Sequence, residues 1–141
     1  MAQRRFGSAN TTGRKLDVIG EYLSMYQKAL SHTYFQTLYI AYRITELKRC
    51  RAAVRFISFE PLIGSVGKIN LSNIHWAIVG GESGPKSRFL DINWVDQIFD
   101  QCEKYDVQFF FKQWGGVNKK RTGRTFRGRT WNEMPNLRVY A

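Results

Sequence analysis

Three short apolar runs in this chain each end on residues able to bind a ligand or move a proton. Val54 to Phe59 stops at Glu60-Pro61-Leu62, His75 to Val79 stops at Gly80-Gly81-Glu82-Ser83-Gly84, and Val107 to Phe111 stops at Lys112-Gln113-Trp114-Gly115-Gly116. Glu60 suits a general acid or base, or an acceptor for an amine or hydroxyl; it is equally suited to anchoring its own loop. Gly80 and Gly81 allow close backbone approach, and the amides of such a turn can bind anions. Gly84-Pro85-Lys86 lacks the spacing and the hydroxyl of a GxxxxGK phosphate loop. Glu82 instead repels phosphate and suits a ligand amine or a ribose hydroxyl, with Ser83 beside it. Lys112, Gln113 and Trp114 combine a cation, an amide that donates and accepts, and a flat ring that can stack a base or pack at the rim of a sheet. These residue types assign no specific reaction.

A second candidate site is electrostatic. The net charge of +11 favours an anionic partner, of which nucleic acid is the commonest. Six cations, Lys119, Lys120, Arg121, Arg124, Arg127 and Arg129, fall in a stretch from Val117 to Asn132 that holds no acid. Gly123 and Gly128 mark it as a mobile loop rather than a helix face, either solvated or touching phosphates. His32 and His75 have no second ligand at metal spacing, so no metal site is expected. Cys50 and Cys102, the chain's two cysteines, form no CxxC motif and read as small apolar residues of a protein kept in the reducing cytoplasm. No apolar stretch approaches the roughly 18 residues of a membrane span, and the polar, basic start from Met1 to Arg14 is not a secretory signal.

The elements that must position these residues follow from periodicity. Residues 1–13 read as loosely attached. Leu16, Ile19, Leu23, Tyr26 and Leu30 recur at helix spacing. Phe35 to Ile40 is aromatic and β-branched enough for a strand, and Arg43 to Arg51 suits a short helix. The runs at 54–59, 74–79 and 107–111 read as strands, separated by a loop holding Gly64 and Gly67 and by a helix capped at Asp91 or Asn93 and running to about Tyr105. That last β-α-β unit implies a parallel sheet with its strand ends on one face, where α/β proteins place ligands. Trp131 to Ala141 suits a turn and a short strand.

The motifs VRFISFEPLIG, HWAIVGGESGP, FFFKQWGG and GRTWNEMP, in that order, resemble the C-terminal half of the phage gene product thirty-seven / sixty-eight family, whose members look like radical-SAM enzymes. That resemblance implies a partial (half) β/α barrel over residues 42–141. Full-length relatives are expected to use an iron-sulfur cluster, held by three cysteines, and S-adenosylmethionine. Cys50 and Cys102 do not replace that motif, because such a cluster needs three close thiolates. RRFGS, KLDVIGEYLSMYQKAL and FQTLYI, within residues 1–41, resemble the start of the three-Cys-motif partner protein, a methyltransferase-like companion of that family. Its strand runs into an acidic, glycine-containing cofactor loop; here Ala41-Tyr42-Arg43 follows instead.

The chain therefore reads as an α/β protein: an N-terminal helix and strand followed by a half-barrel, joining the start of one protein to the end of its neighbour. The expectation is a truncated or fused protein with no cofactor and no independent catalysis. The alternative is a basic nucleic-acid-binding module, and a fusion product without a selected role stays open. A half-barrel also leaves a sheet edge uncovered, which invites self-association or a partner chain.

Overall fold

The computed structural model describes residues 33–136. Its elements in order are α1 (Thr33–Arg49), β1 (Phe56–Phe59), β2 (Trp76–Gly80), α2 (Ile92–Tyr105), β3 (Gln108–Gln113), the one-turn helix α3 (Lys119–Thr122), β4 (Thr125–Phe126) and β5 (Arg129–Thr130). The first three strands form a parallel sheet in the order β1-β2-β3, and the last two form an antiparallel hairpin. The chain is thus a mixed α/β protein, and the described residues close no barrel. The helix expected over Leu16–Leu30 and the end of the tail lie outside the described residues.

One expected element is corrected. Phe35 to Ile40 is not a strand but part of α1, which runs unbroken through residues 41 and 42, where the two resemblances meet. Ile40, Ile44 and Leu47 fall at helix spacing and meet the core, Ile44 at 4 % exposure. A six-residue window rich in aromatic and β-branched residues hides that period, which only the longer segment reveals.

Pairing in the sheet aligns Phe59 with Val79 and Val79 with Phe111, and Ala77 with Phe109. Because side chains alternate across a strand, these five share one face, and all five are buried. α2 covers that face with Val95, Ile98, Phe99 and Cys102. It starts where the sequence allows, with Asp91 accepting from the Asn93 N–H at 2.8 Å. It ends at Asp106, which adopts a left-handed φ of 54° and turns the chain into β3. The connection from β1 to β2 has no helix. Leu62, Val66, Ile69, Leu71 and Ile74 bury it instead, and Gln101 on α2 donates to the Gly67 carbonyl at 3.1 Å. His75 is structural: its Nδ1 accepts the Arg55 N–H at 2.9 Å, joining the starts of β1 and β2. On the opposite face Phe56, Trp76 and Phe110 touch ring to ring, and Phe56 keeps 51 % of its surface exposed.

The stretch from 117 to 132, expected as a mobile loop, is an ordered clasp. The two-residue turn Arg127-Gly128 has φ of 48° and 77°, as a tight hairpin of right-handed twist requires. It drives Phe126 into contact with Phe99, Phe109, Phe111 and Trp131. The Arg127 guanidinium lies 4.5 Å from the Phe99 ring centre and donates to Asp96 and Asp100 at 2.8 Å each. After the hairpin, Phe111 donates to the Trp131 carbonyl and Glu133 to the Phe109 carbonyl, so residues 131–133 run along the free edge of β3. Arg127→Ala should therefore lower stability by about 1–2 kcal/mol. Lys120→Ala and Arg121→Ala should stay within about 0.5 kcal/mol of the parent. Urea denaturation of the three variants checks this contrast.

Candidate functional site

The site grows from two glycines that must be glycine. A Cβ on Gly81 would lie 2.1 Å from the Trp114 carbonyl oxygen, and one on Gly115 would lie 2.2 Å from the Glu82 carbonyl oxygen. The loops after β2 and β3 therefore touch backbone to backbone. Gly81 donates to the Gln113 carbonyl at 2.9 Å, Gly116 to the Glu82 carbonyl at 2.7 Å and Gly84 to the Gly116 carbonyl at 3.2 Å. Gly115 holds a φ of 82° that other residues rarely adopt. Backbone hydrogen bonding thus continues past the strands and welds the two loops into one rim.

Glu60, Gly80 and Lys112 come together as expected of strand ends. Between Val79 and Gly80 the register shifts, so that Val79 faces Phe111 while Gly80 faces Gln113. Lys112 is the extra residue, and such a bulge re-aims a side chain. Lys112 Nζ reaches Glu60 Oε2 at 2.9 Å, spanning the width of the sheet. Gly80 lies under that span: a Cβ there would sit 3.3 Å from the Glu60 carboxyl carbon. The pair is half open to solvent, with side-chain exposures of 51 % for Lys112 and 22 % for Glu60.

The other candidates take different roles. Glu82 is not free to hold a ligand amine. Arg88 grips it through Nε at 2.7 Å and Nη2 at 2.9 Å, and the Arg88 backbone N–H adds a bond of 3.0 Å. These side-chain bonds first, and the backbone bond second, pull the Glu82 carboxyl down to about 2. Gln113 donates to Ser83 Oγ at 2.7 Å and closes the rim. Trp114 packs edge-on against Phe111, and its indole N–H donates to the Thr125 carbonyl at 2.8 Å. The packing role, rather than base stacking, is the one its geometry fills.

The basic cluster divides. Arg124 donates to the Phe111 carbonyl at 3.1 Å and to Asn132 Oδ1, with its guanidinium 5.0 Å from the Phe110 ring centre. Arg129 lies 3.5 Å over the Trp131 ring and 3.7 Å from Glu133. Together with Arg127, these cations hold the clasp. Lys119 opens α3, and Lys120 and Arg121 follow it on exposed positions. α3 is tied to the rim, since Thr122 Oγ1 donates to the Gly115 carbonyl at 2.6 Å and Trp114 N–H to the Gly123 carbonyl at 3.2 Å. Sequence reasoning missed two residues here. Arg88 neutralises Glu82, and Phe89, next to it, is 83 % exposed. The only signal was the run Lys86-Ser87-Arg88-Phe89-Leu90 after Pro85, which sets two cations before two apolar residues.

This is an α/β protein whose three parallel strands present a polar, glycine-knit rim at their C-terminal ends. The chain matches the family model described as "Protein of unknown function (DUF5131)" over residues 24–135, and it belongs to that family. No curated protein and no solved structure matches it. No helix among the described residues is long and apolar enough to cross a membrane.

Two outcomes follow. Gly81→Ala should cost more than about 3 kcal/mol, because the clash is with backbone, whereas Gly80→Ala should fold and only displace the Glu60 side chain. Thermal melts of both variants test this. The Glu82 carboxyl has a folded pKa of about 2 against an ordinary 4.5, so its contribution is complete above pH 4.5 and is lost as pH falls toward 2. Melts between those limits should show a shallower acid loss in Arg88→Gln than in the parent.

Proposed function

We propose that the chain is part of a radical-SAM-like β/α barrel that serves as a binding element and performs no catalysis of its own. The observation that carries this reading is the Glu60–Lys112 pair, set across Gly80 at the C-terminal ends of three parallel strands. Strand order supports it as well, because β1, β2 and β3 are adjacent in sequence order and α2 covers one face alone. A barrel wound this way puts its helix layer outside, and the face carrying Trp76, Phe110 and the Glu60–Lys112 pair then becomes its interior. The outer edge of β1, which pairs on one side only among the described residues, is where a further strand or a second chain would add.

The residues present do not fit an iron-sulfur cluster. Cys102 is buried under the sheet, and burial pushes its thiol up to about 12, far from the thiolate that binds iron. Cys50 is exposed after the end of α1, and the sequence holds no third cysteine. Anaerobic reconstitution with iron and sulfide should therefore give no visible charge-transfer band and no cleavage of S-adenosylmethionine. Incorporation of about four irons per chain would overturn the reading.

A second reading, a basic surface for nucleic acid, is favoured by one specific observation. Lys120 and Arg121, exposed cations in no ion pair among the described residues, stand on a turn bonded to the strand-end rim.

A further inference from the structure

We propose that the strand-end rim binds single-stranded nucleic acid, with Lys86, Lys120 and Arg121 on the phosphates and Phe89 stacked on a base. The proposal deepens the second reading above, on which it rests, by giving it a substrate class and a place. In the sequence, the residues after β2 and the basic stretch after β3 stand more than thirty positions apart. In the fold they meet at one residue. Gly116 pairs with Ser83 in a parallel bridge and accepts the Gly84 N–H, two residues before Lys86. A Cβ on that same Gly116 would lie 3.4 Å from the Thr122 methyl, next to Arg121. Lys86 and the basic turn thus flank a common centre.

The charge balance of this rim is what selects the partner. Its two acids are already answered, Glu60 by Lys112 at 2.9 Å and Glu82 by Arg88 at 2.7 Å. No ion pair among the described residues takes up Lys86, Lys120 or Arg121, and all three are exposed. The rim therefore carries three uncompensated positive charges, while Arg127, on the clasp, is fully paired. Glu82, held ionised by Arg88, no longer opposes an anion as an isolated carboxylate would.

Phe89 separates a nucleic-acid strand from other polyanions. Its 83 % exposure is the largest among the large exposed apolar side chains of the described residues. Its neighbour Leu90 is buried, and Arg88 is anchored at both backbone and side chain by Glu82, so the ring stands out from a fixed point. A rigidly based aromatic on the loop that carries Lys86 offers a base-stacking surface, and stacking requires an unpaired base. A duplex, whose bases are already stacked, gains only the electrostatic part.

Fluorescence anisotropy of the full chain with a labelled oligothymidylate of about 20 nucleotides tests the proposal, beside a duplex of equal length in about 50 mM salt. The single strand should bind about tenfold tighter than the duplex. Phe89→Ala should remove most of that preference and leave the salt slope unchanged. The triple variant Lys86→Gln, Lys120→Gln, Arg121→Gln should flatten the slope of log affinity against log salt by about 2, since each phosphate contact contributes about 0.7. A control triple of equal charge change, Arg51→Gln, Lys68→Gln and Lys104→Gln, alters exposed cations away from the rim and should bind like the parent. Equal weakening by the two triples would overturn the proposal, because net charge alone would then explain binding. Equal affinity for duplex and single strand would overturn it too while leaving the broader nucleic-acid reading intact. No binding of either probe would remove both.

Discussion

The contact between Gly81 and Gly115 is the constraint on which the rest of the site depends. Two backbones approach so closely that neither position has room for a methyl group. From that contact follow the bonds that tie Gly84, Gly116 and Glu82 together, and with them the course of the loops after β2 and β3. A parallel sheet ordinarily stops pairing where its strands end, and the loops beyond diverge. Here the loops stay paired for several residues more, so the rim inherits the rigidity of the sheet. Sites supported in this way hold their side chains more closely than loops free to move.

Three arginines after β3 serve as packing residues. Arg124, Arg127 and Arg129 each lay a guanidinium against an aromatic ring while their N–H groups meet carbonyls or carboxylates. A planar, weakly hydrated cation suits that double role, which a lysine ammonium would fill poorly. The aromatic cluster built from Phe99, Phe109, Phe111, Phe126 and Trp131 explains the choice. It supplies ring faces near the surface that Arg127 and Arg129 cap, while Arg124 covers Phe110 on the other face of the sheet. What a count of charges reports as a uniform basic stretch is therefore two populations, one holding the hairpin through rings and carboxylates and one, Lys120 and Arg121, in no ion pair among the described residues.

The bulge beside Gly80 has a comparable effect on chemistry. Lys112, which the shift leaves without a register partner on β2, reaches Glu60 across Gly80. That pair bridges the three strand ends on the face opposite α2. That face also carries the contacts of Trp76 with Phe56 and Phe110, so an apolar floor leads to a charged lip.

Local pattern in the sequence was enough for the parallel strands, the helix capped by Asp91 and the meeting of Glu60, Gly80 and Lys112. Each of these depends on short-range periodicity and on the rule that parallel strands end on one side. It was not enough for Phe35 to Ile40, where β-branched and aromatic residues suit either backbone and the packing of Ile40, Ile44 and Leu47 selects the helix. Nor could it distinguish Arg127 from Arg121, because a cation's role is set by what lies beside it in space, and Asp96 and Asp100 are distant in the chain. Trp114 and Phe89 make the same point from opposite directions. A tryptophan next to glycines suited stacking and packing alike and is half-buried against Phe111, with its N–H on the Thr125 carbonyl, whereas a phenylalanine with no marking context was left exposed. Residue type and spacing determined which groups the chain owns, and tertiary contact, through burial and pairing, decided which remain free to act.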